Sequence, residues 1–277
     1  MQAQTGFAPV NSAQLYYEAA GTGQALLLLH AGVADGRMWD DQFAAFAQHY
    51  HTIRCDLRGF GRSAMPAGRF SHHDDVAGLL DYLQVEQAIV VGISFGGKVA
   101  LDLALAYPQR VAALVLGAPS IGGATPSERI IQFWEDEETA VTKGDLDAAV
   151  ELNLRLWVDG PHRQPGEVDA QLRQKVSQMQ RDIFMMAMPE DVEEVRLLPA
   201  AYGSLAEIAT PTLVLVGSLD LPEMVEQTAW LAEQLPQSQH AVIPGVAHML
   251  NMEKPAEFNQ LVLDFLQEKE GTPRGTE

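Results

Sequence analysis

With one cysteine in 277 residues, Cys55, the chain has nothing for an intrachain disulfide to join. Cys55 ends the run His51-Thr52-Ile53-Arg54-Cys55, which reads as a strand, and is expected to be a small buried hydrophobe. Basic residues are scarce too: 18 Lys and Arg stand against 37 Asp and Glu, a formal net charge of −19. Nucleic acid and anionic membrane surfaces both require a basic face, so neither is an expected partner. Long apolar runs are missing, and the longest fall far short of a membrane span. Residues 1–20 lack the basic start and apolar core of a secretion signal, which points to a soluble, cytoplasmic protein. Internal repeats and low-complexity tracts are absent. The glycine-rich stretch 56–63 lacks phosphate-loop spacing and reads as a structural turn, its Arg58 bonding carbonyls. The acidic run 135–138 reads as a solvated helix face. His72-His73-Asp74-Asp75 has metal-ligand residue types, but adjacent helical residues point in different directions and do not converge on one ion. It reads as a helix start with acids favoured by the dipole, so no metal site is expected.

What is present is concentrated at residues 88–106. The apolar run Ala88-Ile89-Val90-Val91 leads into Gly92-Ile93-Ser94-Phe95-Gly96, and a helical pattern leads out from Lys98 to Ala106. Strand, sharp turn and helix with a serine at the apex is the arrangement a nucleophile elbow needs. Glycines two residues either side let strand and helix approach without a Cβ clash. The pentapeptide alone is a weak signal; its context strengthens it.

A serine hydroxyl is a poor nucleophile near neutral pH and needs a base, which in turn needs an orienting acid. In the elbow architecture the chain order is Ser, then Asp or Glu, then His, with each partner in a loop after a strand. Of eight histidines, only His248 meets that condition: Gln239–Ile243 reads as a strand and Pro244–His248 as the loop beyond it. Thr212–Val216 is a buried-type strand, and Gly217-Ser218-Leu219-Asp220 is its loop. Asp220 is therefore the expected acid and His248 the expected base, with Glu223 the fallback acid and a helix cap the alternative role for Asp220. His240 reads as half-buried strand filler, His49 and His51 as surface residues, and His162 as a loop residue.

A tetrahedral intermediate carries an oxyanion that needs two donors held in advance. One is expected to be the N–H of Phe95, the residue after the nucleophile. The other is expected in the turn after Leu26–Leu29, from Gly32, with Val33 the alternative. His30 is expected to brace that turn by hydrogen bonds.

Strands alternate with helices through most of the chain: Tyr16–Ala19, Leu26–Leu29, a helix near Trp39–Ala47, the strand ending at Cys55, a helix near His72–Leu83, the elbow, and a strand at Val111–Leu116. That alternation predicts a parallel sheet with right-handed crossovers and ligands beyond the carboxyl ends of its strands. Between about Ser120 and Leu205 no β-rich run appears, and helices are expected at Glu128–Lys143, Asp145–Val158 and Glu167–Met188. The expected organisation is a core domain of 1–119 and 206–277 with an α-helical cap of 120–205. Met179 and the run Phe184–Met188 are candidates to line the pocket under that cap, as are Trp134 and Trp157; ordinary cap core is the alternative for all of them.

With these pieces in order, HAG at 30–32, DLRGFGRS at 56–63, GISFGG at 92–97, GSLD at 217–220 and GVAHMLNMEKP at 245–255, the chain resembles the α/β-hydrolase fold superfamily. The resemblance spans nearly the whole chain. It implies a mostly parallel eight-stranded sheet flanked by helices, with the cap inserted after the sixth strand. The family usually has His-Gly where this chain has His30-Ala31, and Ala31 implies a less demanding backbone angle there. HAGVADGRMWDDQ together with DLRGFGRS looks most like the esterase and enol-lactonase branch. The carbon–carbon hydrolases of the family carry Trp after the catalytic His, where Met249 stands here. The haloalkane dehalogenases and epoxide hydrolases use an Asp nucleophile, where Ser94 stands here. The expected activity is hydrolysis of a small-molecule carboxylic ester or lactone through an acyl-enzyme, with no cofactor. Alternatives are a cofactor-free haloperoxidase or perhydrolase with the same triad, or a ligand receptor on this fold with little turnover.

Overall fold

Uninterrupted runs of Leu, Val and Ile suit strands buried on both faces, and such strands pair in parallel. The computed structural model, which describes residues 3–270, places them at the centre of one sheet. In chain order the strands are β1 (Gln4–Val10), β2 (Ala13–Ala20), β3 (Ala25–Leu29), β4 (His51–Cys55), β5 (Gly68–Phe70), β6 (Ala88–Ile93), β7 (Val111–Gly117), β8 (Val192–Glu194), β9 (Thr212–Gly217) and β10 (Ser238–Ile243). Eight of them form the large sheet in the order β1-β2-β4-β3-β6-β7-β9-β10. Every pairing from β4 to β10 is parallel, and β2 runs antiparallel to both β1 and β4. The expected mostly parallel eight-stranded sheet is thus observed. β1 was not among the expected strands; polar and apolar residues mix along it, and four of its seven positions are exposed.

Side chains alternate across the sheet, so neighbours in β3 serve different layers. Leu26 and Leu28 join α1 (Asp40–Phe46) and α9 (Pro255–Glu270) on one face, through Phe43, Phe46, Phe258 and Val262. Leu27 and Leu29 join α2 (His72–Tyr82), α3 (Phe95–Ala106) and α7 (Pro222–Gln234) on the other, through Leu79, Leu80, Val99, Leu103 and Leu231. Cys55 lies in the second layer, free and buried, and burial pushes its thiol pKa up.

After β7, the sixth strand of the large sheet, comes a helical insertion: α4 (Glu128–Thr142), α5 (Leu146–Asn153) and α6 (Ala170–Phe184). The helix expected over 145–158 is interrupted, because Leu154–Asp159 widens into a π turn. The insertion also holds a strand where none was expected. β8 pairs in parallel with β5, three residues each, a ribbon too short to leave a periodic signal. The chain returns to the sheet at β9 and closes with α7, β10, α8 (Leu250–Glu253) and α9. His240, expected to be half-buried, is exposed, because β10 is an edge strand. No helix among the described residues is long and apolar enough to cross a membrane.

Register decides what the strand ends share. Leu29 pairs with Gly92, Gly92 with Leu116, Gly117 with Leu215, and Gly217 with Ile243. The loops after β3, β6, β9 and β10 therefore leave from one edge of the sheet, where ligands of open parallel sheets bind.

Candidate active site

Ser94 sits between β6 and α3 at φ +54° and ψ −113°, a backbone conformation rare outside glycine. Its N–H donates to the Gly117 carbonyl at 2.8 Å, and its carbonyl accepts from Lys98 N–H at 3.1 Å and Ser120 N–H at 3.0 Å. The flanking glycines are required by proximity. A Cβ on Gly92 would lie 2.4 Å from the Gly96 carbonyl oxygen, and one on Gly96 would lie 2.2 Å from that of Leu29. Strand and helix cross so closely that the hydroxyl is lifted out at the apex, half-exposed.

The loops after β9 and β10 are laced together. Ser218 N–H donates to the Ile243 carbonyl at 2.9 Å, Leu219 N–H to that of Val246 at 2.9 Å, and Gly245 N–H to Ser218 Oγ at 2.8 Å. This lacing brings Asp220 against His248. Imidazole Nδ1 lies 2.8 Å from Asp220 Oδ2, and both side chains are buried. A carboxylate only accepts, so Nδ1 carries the proton and Nε2 is left as the basic nitrogen. Asp220 Oδ1 accepts from Leu221 N–H at 2.7 Å, which fixes the carboxylate's orientation. His248 Nε2 is buried and has no hydrogen-bond partner among the described residues. Glu223 is not at the imidazole: its Oε1 accepts from Ser127 Oγ at 2.9 Å and faces Arg129 Nε at 3.4 Å.

Phe95 is the first residue of α3, and the first N–H groups of a helix have no partner within it. Gly32, in the turn after β3, is its neighbour; a Cβ added there would touch Phe95 Cβ at 3.5 Å. His30 braces this turn as expected. Its Nδ1–H donates to the Ala31 carbonyl at 2.9 Å, and Nε2 accepts from Leu57 N–H at 2.9 Å. Burial lowers its pKa, which keeps the ring neutral and that tautomer in place.

A cavity of about 410 Å³ opens at Ser94. Ile121, Ala124, Pro126, Ile130, Trp134, Trp157 and Met224 supply its apolar wall, and Ser120, Thr125, Ser127, Glu223 and Gln227 its polar one. Such a size and balance suit a small ligand. Trp134 and Trp157 therefore line the pocket, while the methionine expectation is corrected. Met179 is fully buried core, Met185 and Met188 face solvent, and none of the run Phe184–Met188 reaches the cavity. The reason is helix phase: α6 turns Met179 inward, and Met185–Met188 lie past its end. Arg58 meets its expectation in part. It bonds one carbonyl, of Asn11 at 2.7 Å, but its main partner is Asp75, in a buried two-pronged pair at 2.7 and 2.9 Å. Asp75 lies in the first turn of α2, as expected of the helix start, and is also the partner of a buried ion pair. No group of three or more His, Cys, Asp or Glu that could hold a metal is found among the described residues.

The chain belongs to the alpha/beta hydrolase fold family, whose sequence profile matches residues 24–255. It is 28% identical over 270 residues to a pimeloyl-[acyl-carrier protein] methyl ester esterase of Nitrosospira multiformis, covering 91% of this chain and 97% of that one. It is 29% identical over 231 residues to 3-oxoadipate enol-lactonase 2 of Acinetobacter baylyi, covering 81% and 82%. Among solved structures, a thermophilic esterase from Thermogutta terrifontis superposes with a TM-score of 0.76 at 29% identity, covering 97% of this chain and 99% of that one.

Proposed function

We propose that this protein is a serine hydrolase of small carboxylic esters or lactones. One observation carries the reading: Ser94, strained at its elbow, faces a partly apolar cavity at the sheet edge that also bears the buried Asp220–His248 pair. The esterase and enol-lactonase names of the relatives support the substrate class. Ser94 Oγ attacks the ester carbonyl as its proton passes to His248 Nε2. Asp220 holds the imidazole tautomer and offsets the charge that forms. The N–H groups of Phe95 and Gly32 receive the oxyanion. His248 then gives the proton to the departing alkoxide, leaving an acyl-serine. A water, deprotonated in turn by His248, adds to it, and the tetrahedral intermediate collapses as His248 returns that proton to Ser94 Oγ and the acid is released. The insertion of 120–205 acts as a cap domain over the core of 1–119 and 206–277, excluding water from the acyl pocket.

A fluorophosphonate is expected to label a single serine, with Ser94→Ala abolishing the label and the multiple turnover of a p-nitrophenyl ester. Label mapped to another serine refutes the nucleophile. One acyl group released per chain, without further turnover, makes the protein a receptor instead.

A further inference from the structure

A base held by one hydrogen bond can still swing about it. The Nδ1–Asp220 contact fixes one atom of the buried His248 ring and not its tilt, and Nε2 has no hydrogen-bond partner among the described residues. The ring is held from its face instead. The indole of Trp157 lies against it, centroids 4.5 Å apart and planes at 41°. Trp157 is itself buttressed edge-on by Phe133 at 5.9 Å.

The backbone bearing Trp157 is tied down on both sides. It is the π turn Leu154–Asp159, whose fully buried Asp159 receives Arg155 at 2.6 Å and Arg173 at 3.1 Å. Gly160 follows at φ +71°, so close to the two loops that a Cβ there would lie 2.7 Å from the Leu219 carbonyl and 3.0 Å from Ala247 Cβ. Those are the chain neighbours of Asp220 and His248. Arg163 then grips Glu253 at 2.5 Å, and Glu253 accepts from Ala247 N–H at 2.8 Å. A single stretch of the insertion thus touches both loops and the base.

We propose that Trp157 is a positioning residue for His248. Its indole fixes the tilt of the imidazole, and with it the direction in which Nε2 is presented, and segment 157–163 locks that arrangement to the loops of Asp220 and His248. This rests on the serine hydrolase reading above. The indole face also favours an imidazolium over a neutral ring, so its effect grows as the proton is transferred.

The experiment is steady-state kinetics on a short p-nitrophenyl ester, with Ser94→Ala as the control for the underlying reading. Trp157→Leu is expected to lower kcat roughly 10- to 100-fold, the cost of a misaimed catalytic group, with KM little changed. Trp157→Phe, which restores a flat aromatic face, is expected to recover most of the loss. If KM rises while kcat holds, Trp157 is only a pocket wall and the proposal is overturned. If Phe and Leu are equally impaired, it is overturned as well. Should Trp157→Leu not fold, Phe133→Leu, which removes the buttress of the indole, is read in its place: a lowered kcat with KM little changed supports the proposal, and an unchanged kcat overturns it. Turnover surviving in Ser94→Ala would remove Ser94 as the nucleophile, a result separable from any Trp157 outcome.

Discussion

Asp220 and His248, 28 positions apart, meet through Oδ2 and Nδ1 at 2.8 Å with both side chains almost fully buried. The bond leaves each partner one committed atom. Asp220 Oδ1 is taken by Leu221 N–H, and Nε2 is the ring nitrogen of His248 left without a partner among the described residues. The imidazole tautomer and the direction of the carboxylate are thus set by the pair's own bonds.

Asp220→Asn is expected to preserve the fold and lower kcat by roughly 10⁴-fold, because an amide favours the wrong imidazole tautomer. Glu223→Gln is expected to stay within a few-fold of wild type, since Glu223 bonds Ser127 and Arg129 instead. Reversed results in a steady-state ester assay would make Glu223 the acid.

The elbow tolerates no Cβ at Gly96. Gly96→Ala sets a methyl 2.2 Å from the Leu29 carbonyl oxygen and 2.7 Å from that of His30, and neither backbone can retreat from a buried sheet edge. A loss of about 4 kcal/mol or more is expected, at the exceptional end for single substitutions. A urea midpoint matching wild type would show that the turn has room.

Arg58 and Asp75 stand 2% and 1% exposed, so either charge left alone has no solvent to turn to. Arg58→Met or Asp75→Leu is expected to cost about 3–5 kcal/mol, and the double variant much less than the sum. Chemical denaturation of the four proteins tests this through the coupling energy; additive losses would contradict it.

Acid sensitivity is expected from His72. Burial above all, then the Lys98 charge, pushes its pKa down to about 3 in the folded protein. The unfolded chain therefore binds this proton more readily between about pH 6.5 and 3. Stability from this source is full above pH 6.5 and is lost as pH falls towards 3, at no more than about 1.4 kcal/mol per unit. His30, also lowered by burial, acts with the same sign. His72→Phe keeps the ring contacts with Phe70 and Phe95 in kind. Urea midpoints at pH 7 and pH 4.5 should differ less in that variant than in wild type. An unchanged difference would rule out His72 as a source.

By itself the sequence determined what local chemistry and periodicity carry. The buried strands were legible as apolar runs, and the elbow as glycines spaced around Ser94. Asp220 and His248 were legible because a parallel sheet sends successive loops to one edge, so position after a strand already implies position in space. What pairs across the fold was not. Nothing near Arg58 in the chain marks Asp75 as its partner. Nothing in a lone tryptophan says that a π turn rotates it onto His248, or that Trp134 and Trp157 face the cavity while Met185 and Met188 face solvent. The three-residue ribbon of β5 and β8 has no period to read. Those choices depend on how the insertion packs back onto the sheet, which is set by the summed fit of distant surfaces. The tertiary structure alone decided them.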